Sequence, residues 1–160
     1  FLPYLQRPAD IYLRYLTPES FVVPDAFSSS GAPLAARIQY LGAQFKMKLH
    51  EVHPRVSLHR FCTALNWPHS WAEDYSKVTD GLRTRKKVLD QLLTDIPEIF
   101  IYEEHLEEMT LHLPYFQAFL NAFTMHCVFK KLVEKTPRNY PKKASWVEIP
   151  KSVFDARQIL

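Results

Sequence analysis

Apolar residues return every three or four positions along most of this chain, and in one short stretch they alternate with polar ones. Leu34, Ile38, Leu41 and Phe45 keep helical spacing up to residue 45, Val56, Leu58, Phe61 and Leu65 do so again, and Leu82, Val88, Leu89, Leu92, Leu93 and Ile96 mark a longer helix. Tyr4 to Leu16 mixes aromatic and aliphatic residues with Arg7, Asp10 and Arg14 and reads as a short helix closed by Thr17-Pro18. Pro114 to Leu132 is apolar on nearly every side, through Phe116, Phe119, Leu120, Phe123 and Val128 among others, which predicts a central, buried helix. Met47, Leu49, Glu51 and His53 alternate with Lys48, His50 and Val52, which predicts a strand with Glu51 at its carboxyl end. Pro54 has no amide proton and a preset φ, so it suits the first turn of the next helix.

The punctuation agrees with this order. Ser28-Ser29-Ser30-Gly31 reads as a loop, Phe21 to Pro24 as extended, and Asn66-Trp67-Pro68 as a helix break. Thr79-Asp80-Gly81 precedes the long helix, and Trp146-Val147-Glu148-Ile149-Pro150 has the alternation of a short edge strand.

At 160 residues the chain suits a single domain, residues 1–160, that buries about two-thirds of its unfolded surface. Its 47% hydrophobic and 14% aromatic content excludes a disordered protein, and no run is long and uncharged enough to span a bilayer. Cys62 and Cys127 both sit in apolar helical contexts, so buried free thiols and a reducing, cytoplasmic setting are expected. There is no secretion signal, and the chain opens on Phe1 rather than Met, so residues before it are expected to have been lost.

Twenty basic residues against 17 acidic ones leave a formal charge of +3, too little to imply nucleic acid by itself. The distribution says more. Lys77, Arg83, Arg85, Lys86 and Lys87 form one basic cluster, and a second runs from Lys130 to Lys143. Cations in the first turns of a helix oppose its macrodipole, so the first cluster is either an ordinary solvated face or a place for an anionic partner. Glu104, Glu108 and His112 follow a four-residue step, but Pro97 and Pro114 leave only a short helix there, and a solvated acid face is the better reading. No glycine-rich phosphate loop and no serine or cysteine nucleophile motif is present.

Glu51 is the main candidate for chemistry. A carboxylate at a strand tip can hold a divalent cation or act as a general base, with His53 and Arg55 beside it. It can equally be a solvated strand-end residue paired with a nearby cation.

Taken in order, several of these landmarks resemble a family of bacterial and archaeal predicted nucleases of unknown function, the one numbered four-hundred-and-twenty-nine. They are the helix Pro33 to Phe45, the turn Glu51-Val52-His53-Pro54, the segment Lys77 to Arg85 opening a long helix, the late apolar helix Phe116 to Met125, and the closing Trp146 to Pro150. The resemblance covers residues 33–150, with a weaker echo in Arg7 to Leu16. It implies an α/β, helix-rich ribonuclease H-like domain in which acidic residues gather one or two Mg2+ or Mn2+ ions against a phosphodiester. Glu51 falls on the family's middle acid. The family's opening strand with its first aspartate has no counterpart before Phe1, and Gln117 stands where the late helix usually carries its last acid, so the domain is expected to be truncated or degenerate in its first strands and short of metal ligands.

The readings that follow are a metal-dependent nuclease and a binding domain that keeps the fold without the chemistry. In the first, Glu51 is catalytic, Glu51 and His53 are metal ligands, and Arg55, Lys77, Arg83, Arg85 and Lys86 hold phosphates. A third reading is a helical protein-interaction domain, marked by an exposed aromatic patch around Trp67, Trp71 and Tyr75. Homo-oligomerisation is compatible with all three, and no membrane partner is expected.

Overall fold

The computed structural model describes residues 7–17, 37, 40, 41, 44, 49–142 and 146–159. They are mostly helical, with a parallel sheet of two short strands. The contacts gather into two compact units, residues 1–51 with 135–147 and residues 52–134 with 148–160.

In the first unit, α1 (Pro8–Leu16) begins with proline at its first helical position and has Asp10 in its first turn and Arg14 in its last. Each charge matches the helix end it occupies. Ala9 and Leu13 are buried, and Tyr12 packs on Trp146 with ring centroids 5.1 Å apart. Arg37, Tyr40, Leu41 and Gln44 are helical, as the spacing from Leu34 to Phe45 predicts, while the segments around Phe21 and Ser28 lie outside the described residues.

The alternating stretch yields much less strand than it predicts. Met47 and Lys48 lie outside the described residues, Leu49 and His50 are not in a strand, and β1 (Glu51–Val52) pairs with β2 (Val147–Glu148). The boundary between the units runs through both strands.

The second unit holds the remaining helices. In α2 (Pro54–Ala64), Pro54 sits at the first helical position, and the ring of His53 caps the helix by accepting from the Val56 amide at 3.4 Å. Asn66 ends the helix in the left-handed region at φ 57°, where the Trp67 amide reaches back to the Cys62 carbonyl at 2.8 Å. Asparagine tolerates that conformation better than most residues, so Asn66-Trp67-Pro68 breaks the helix as expected. A five-residue helix follows, α3 (Ser70–Asp74), too short to show a periodicity in the sequence. Next come α4 (Gly81–Asp95), α5 (Glu103–Leu111) and α6 (Leu113–Phe129). Each packs on its predecessor, and α6 returns to pack on α2.

The core of this unit is built from Leu58, Phe61, Leu89, Leu92, Phe116 and Leu120, with Phe61 edge-on to Phe123 at 4.9 Å. Helix α6 departs from expectation. Phe116, Leu120, Phe123 and Cys127 are buried, but Tyr115 and Phe129 on its other side are exposed. Trp67 and Tyr75, expected to mark an exposed aromatic patch, are buried in the core at 6% and 2% exposure. The Trp67 indole donates to Asp95 at 2.6 Å, and the Tyr75 ring lies 5.6 Å from that of Phe116. An aromatic ring buries more apolar area than most side chains, so these residues serve the core first.

Arg85 ties three helices together. It is 6% exposed, and its guanidinium donates to the Tyr75 carbonyl at 2.8 Å, to Thr110 at 2.8 Å and to Leu111 at 3.3 Å. Those carbonyls close α3 and α5, where the helix leaves them unsatisfied. Gly81 one turn earlier makes the approach possible, since a Cβ there would lie 2.7 Å from the Tyr75 oxygen and 2.9 Å from the Arg85 Nη1. Arg60, also buried, joins α2 to the chain's end through the Pro150 carbonyl at 2.9 Å and the Glu134 carboxylate. Arg85→Met should therefore lower unfolding free energy by about 3 kcal/mol, because hydrogen bonds to a charged donor are worth about 1.5–3 kcal/mol each and orphaned carbonyls add to the loss. Gly81→Ala should cost a comparable amount, whereas exposed Arg83→Ala should stay within about 0.5 kcal/mol. Urea denaturation of the three variants checks the order, and an unchanged midpoint for Arg85→Met would remove the clamp from the account.

Candidate functional site

Glu51 opens β1 with its carboxylate already engaged. Its Oε1 and Oε2 each accept a hydrogen bond from the Arg7 guanidinium at 2.6 Å, in the two-pronged geometry that planar guanidinium and carboxylate groups favour. Arg7 also reaches Asp10, through Nη2 at 2.7 Å and Nε at 3.2 Å, and the Arg7 backbone amide donates to the same Asp10 carboxylate. Asp10 is buried, so one cation serves two acids, and its bond to Glu51 above all raises the guanidinium pKa further above its ordinary range. Tyr140 lies within reach of the same charges, and burial raises its pKa. The signal in the sequence was the pair Arg7 and Asp10, spaced to meet at the start of a helix. What the sequence could not give is that residue 7 closes on residue 51.

The other candidates are spread over the second unit. His53 is the cap of α2, and Arg55 donates from Nε to the Ala72 carbonyl at 3.2 Å. Lys77 is exposed and pairs with Asp74 at 2.6 Å, and Lys86 pairs with Asp90 at 3.3 Å one turn on. Arg85 is committed to the helix ends. Arg83 and Lys87 face solvent on α4, whose first turn has no acidic residue. The basic cluster of the sequence thus divides by helix geometry into one inward cation and a set of outward ones.

The metal chemistry implied by the resemblance needs several converging carboxylates. Among the described residues no group of three or more His, Cys, Asp or Glu side chains converges in a metal-binding arrangement. Both Glu51 oxygens are turned to Arg7, and Gln117, at the position of the family's last acid, shares a hydrogen bond with the buried Tyr75 hydroxyl. The described residues do not gather the carboxylates that the implied ions need. Glu104, Glu108 and His112 likewise form no such group, and His105 lies between Glu104 and Glu108 at 4.0 and 3.7 Å.

Cys62 and Cys127 are buried and free, and burial pushes each thiol up to about 12, which leaves almost no thiolate near neutral pH. No helix among the described residues is long and apolar enough to cross a membrane. No family model, no curated protein and no solved structure matches the chain.

His59 carries a titration. His59 on α2 lies 5.0 Å from His69, and burial first, then His69 and Arg60, hold its pKa below the ordinary 6.5, opposed by Glu73. The unfolded chain therefore binds a proton here more readily than the folded one. Stability contributed by neutral His59 is complete above pH 6.5 and is lost as pH falls from there toward the lowered folded value. Urea midpoints taken between about pH 7.5 and 5 should decline on the acid side, and His59→Gln should flatten that decline. A wild-type midpoint that does not change across this interval would contradict the assignment.

Proposed function

We propose that the chain is a binding domain of ribonuclease H-like kinship that contacts nucleic-acid phosphates without cleaving them. The observation that carries this reading is the two-pronged Arg7–Glu51 ion pair. A carboxylate that has both oxygens on a guanidinium must lose that partner before it can bind a divalent cation, and a two-pronged, charge-assisted pair resists such exchange. The order of landmarks supports the kinship: helical residues at 37, 40, 41 and 44, a strand with an acid, a proline-led helix, a long helix opened by Gly81, a late apolar helix and a closing strand.

Arg83, Lys86 and Lys87 support the contact with phosphates. They project from the first two turns of α4, where the helix dipole is positive; Asp80 stands at the N-cap position and Asp90 pairs with Lys86. An anion placed there removes that repulsion. Backbone contacts of this kind bind without sequence preference and are weakened by salt as counterions are released.

Fluorescence anisotropy with a single-stranded oligonucleotide at 50–300 mM salt tests the proposal. Three phosphate contacts predict a log–log salt slope of roughly −2, and Arg83→Ala or Lys87→Ala should each flatten it by about 0.7–1. The oligonucleotide should stay intact with Mg2+ or Mn2+. Cleavage that disappears in Glu51→Gln would restore the nuclease reading, and absent or salt-insensitive binding would end this one.

A further inference from the structure

Helix α6 is apolar on its exposed side as well as on its buried side, and on the exposed side His126 hydrogen-bonds the Ile159 carbonyl at 2.5 Å. Phe129 is 80% and Tyr115 54% exposed, Ala118 and Ala122 between them are exposed, and Phe119 is half-buried. Positions 115, 118, 122, 126 and 129 fall on one helical stripe. A helix that is apolar all round is normally covered all round, and an uncovered aromatic stripe marks an interaction surface.

We infer that a second copy of the chain covers this stripe, with the two α6 helices packed antiparallel about Ala122. The sequence of the stripe is self-complementary in that arrangement. A two-fold axis at Ala122 sets Tyr115 against the partner's Phe129, Ala118 against the partner's His126, and the two Ala122 side chains against each other. Large residues then meet at the ends and small ones at the crossing, where helix axes can approach to about 8 Å.

Charge selects the same arrangement. Helix α6 ends in Lys130-Lys131, with Lys131 exposed, and it packs beside α5, whose Glu107 and Glu108 are exposed. Glu108 keeps a 3.7 Å contact with His105 and Glu107 points to solvent. Antiparallel packing brings the basic end of each α6 to the acidic flank of the other and sets opposite helix dipoles side by side, whereas a parallel pair would bring Lys131 to Lys131. The contact runs for about 20 Å of helix, less than the ~800 Å² per partner of a standard interface, so the dimer is weak and reversible.

Sedimentation equilibrium of the full chain from 1 to 200 µM provides the test. The expected result is a monomer–dimer equilibrium with Kd on the order of 10–100 µM that weakens severalfold in 0.5 M salt. Ala122→Glu and Phe129→Glu, both at exposed positions, should each raise Kd at least tenfold with unchanged circular dichroism. Under mild oxidation Ala122→Cys should cross-link to a dimer and Ala118→Cys should not, the native thiols being buried. A chain that stays monomeric at 200 µM, a dimer that survives both glutamate variants, or equal cross-linking at 118 and 122 would each overturn the proposal. None of these readouts involves nucleic acid, so they stand or fall apart from the phosphate-binding reading.

Discussion

The second unit depends on a buried cation whose hydrogen-bond partners are backbone carbonyls. Moving a guanidinium out of water costs several kcal/mol even after relaxation. At Arg85 that cost is offset by bonds to Tyr75, Thr110 and Leu111, oxygens that the helix geometry leaves without donors at the ends of α3 and α5. The carbonyl ends of those helices also carry the negative pole of their dipoles, so the charge and the hydrogen bonds act together. Three consecutive elements, α3, α4 and α5, are thereby tied at one point. Leu89, Leu92 and Phe116 fill the core of the same unit.

This clamp explains what the sequence revealed and what it hid. Local signals were legible because their causes are local. Pro54 starts α2, Asn66 ends it, Gly81 opens α4 and Pro114 lies in the first turn of α6, each through the backbone angles its own residue allows. The burial of Arg85 was legible in part: it lies on the same stripe as Gly81, Val88 and Leu92, while Arg83 does not, so the inward face of α4 passes through one cation. Its partners were not legible, because they lie 10, 25 and 26 residues away and are main-chain atoms with no residue signature. Helix α3 escaped notice for a simpler reason, since five residues do not complete two turns.

The same contrast governs the candidate site. Alternation placed Glu51 in a strand, though it stands at the start of β1 and not at its carboxyl end, and gave no sign that Arg7, 44 residues earlier, would take both of its oxygens. Ion pairs at long sequence separation leave no periodic trace, and composition only says that the charges nearly balance. Gln117 tells a parallel story. Where the resemblance calls for an acid, the chain carries a neutral amide, and that amide is spent on a buried tyrosine. A carboxylate at that position would meet the same phenol, whose pKa burial raises. The glutamine amide bonds that hydroxyl without adding a charge beside it.

Charge on this chain thus performs two separate kinds of work. Arg7, Arg60 and Arg85 are inward and hold elements together through fixed, planar forks, for which lysine would be a poor substitute. Lys77, Lys86, Lys87 and Lys131 are outward, flexible and strongly hydrated, and their short-range pairs with Asp74 and Asp90 contribute little to stability. A net charge of +3 summed over both sets hides this division. A phosphate backbone or a second copy can respond only to the outward set. The inward arginines are already satisfied, so an electrostatic argument about partners must begin from the exposed lysines and Arg83 and leave the inward ones to the fold.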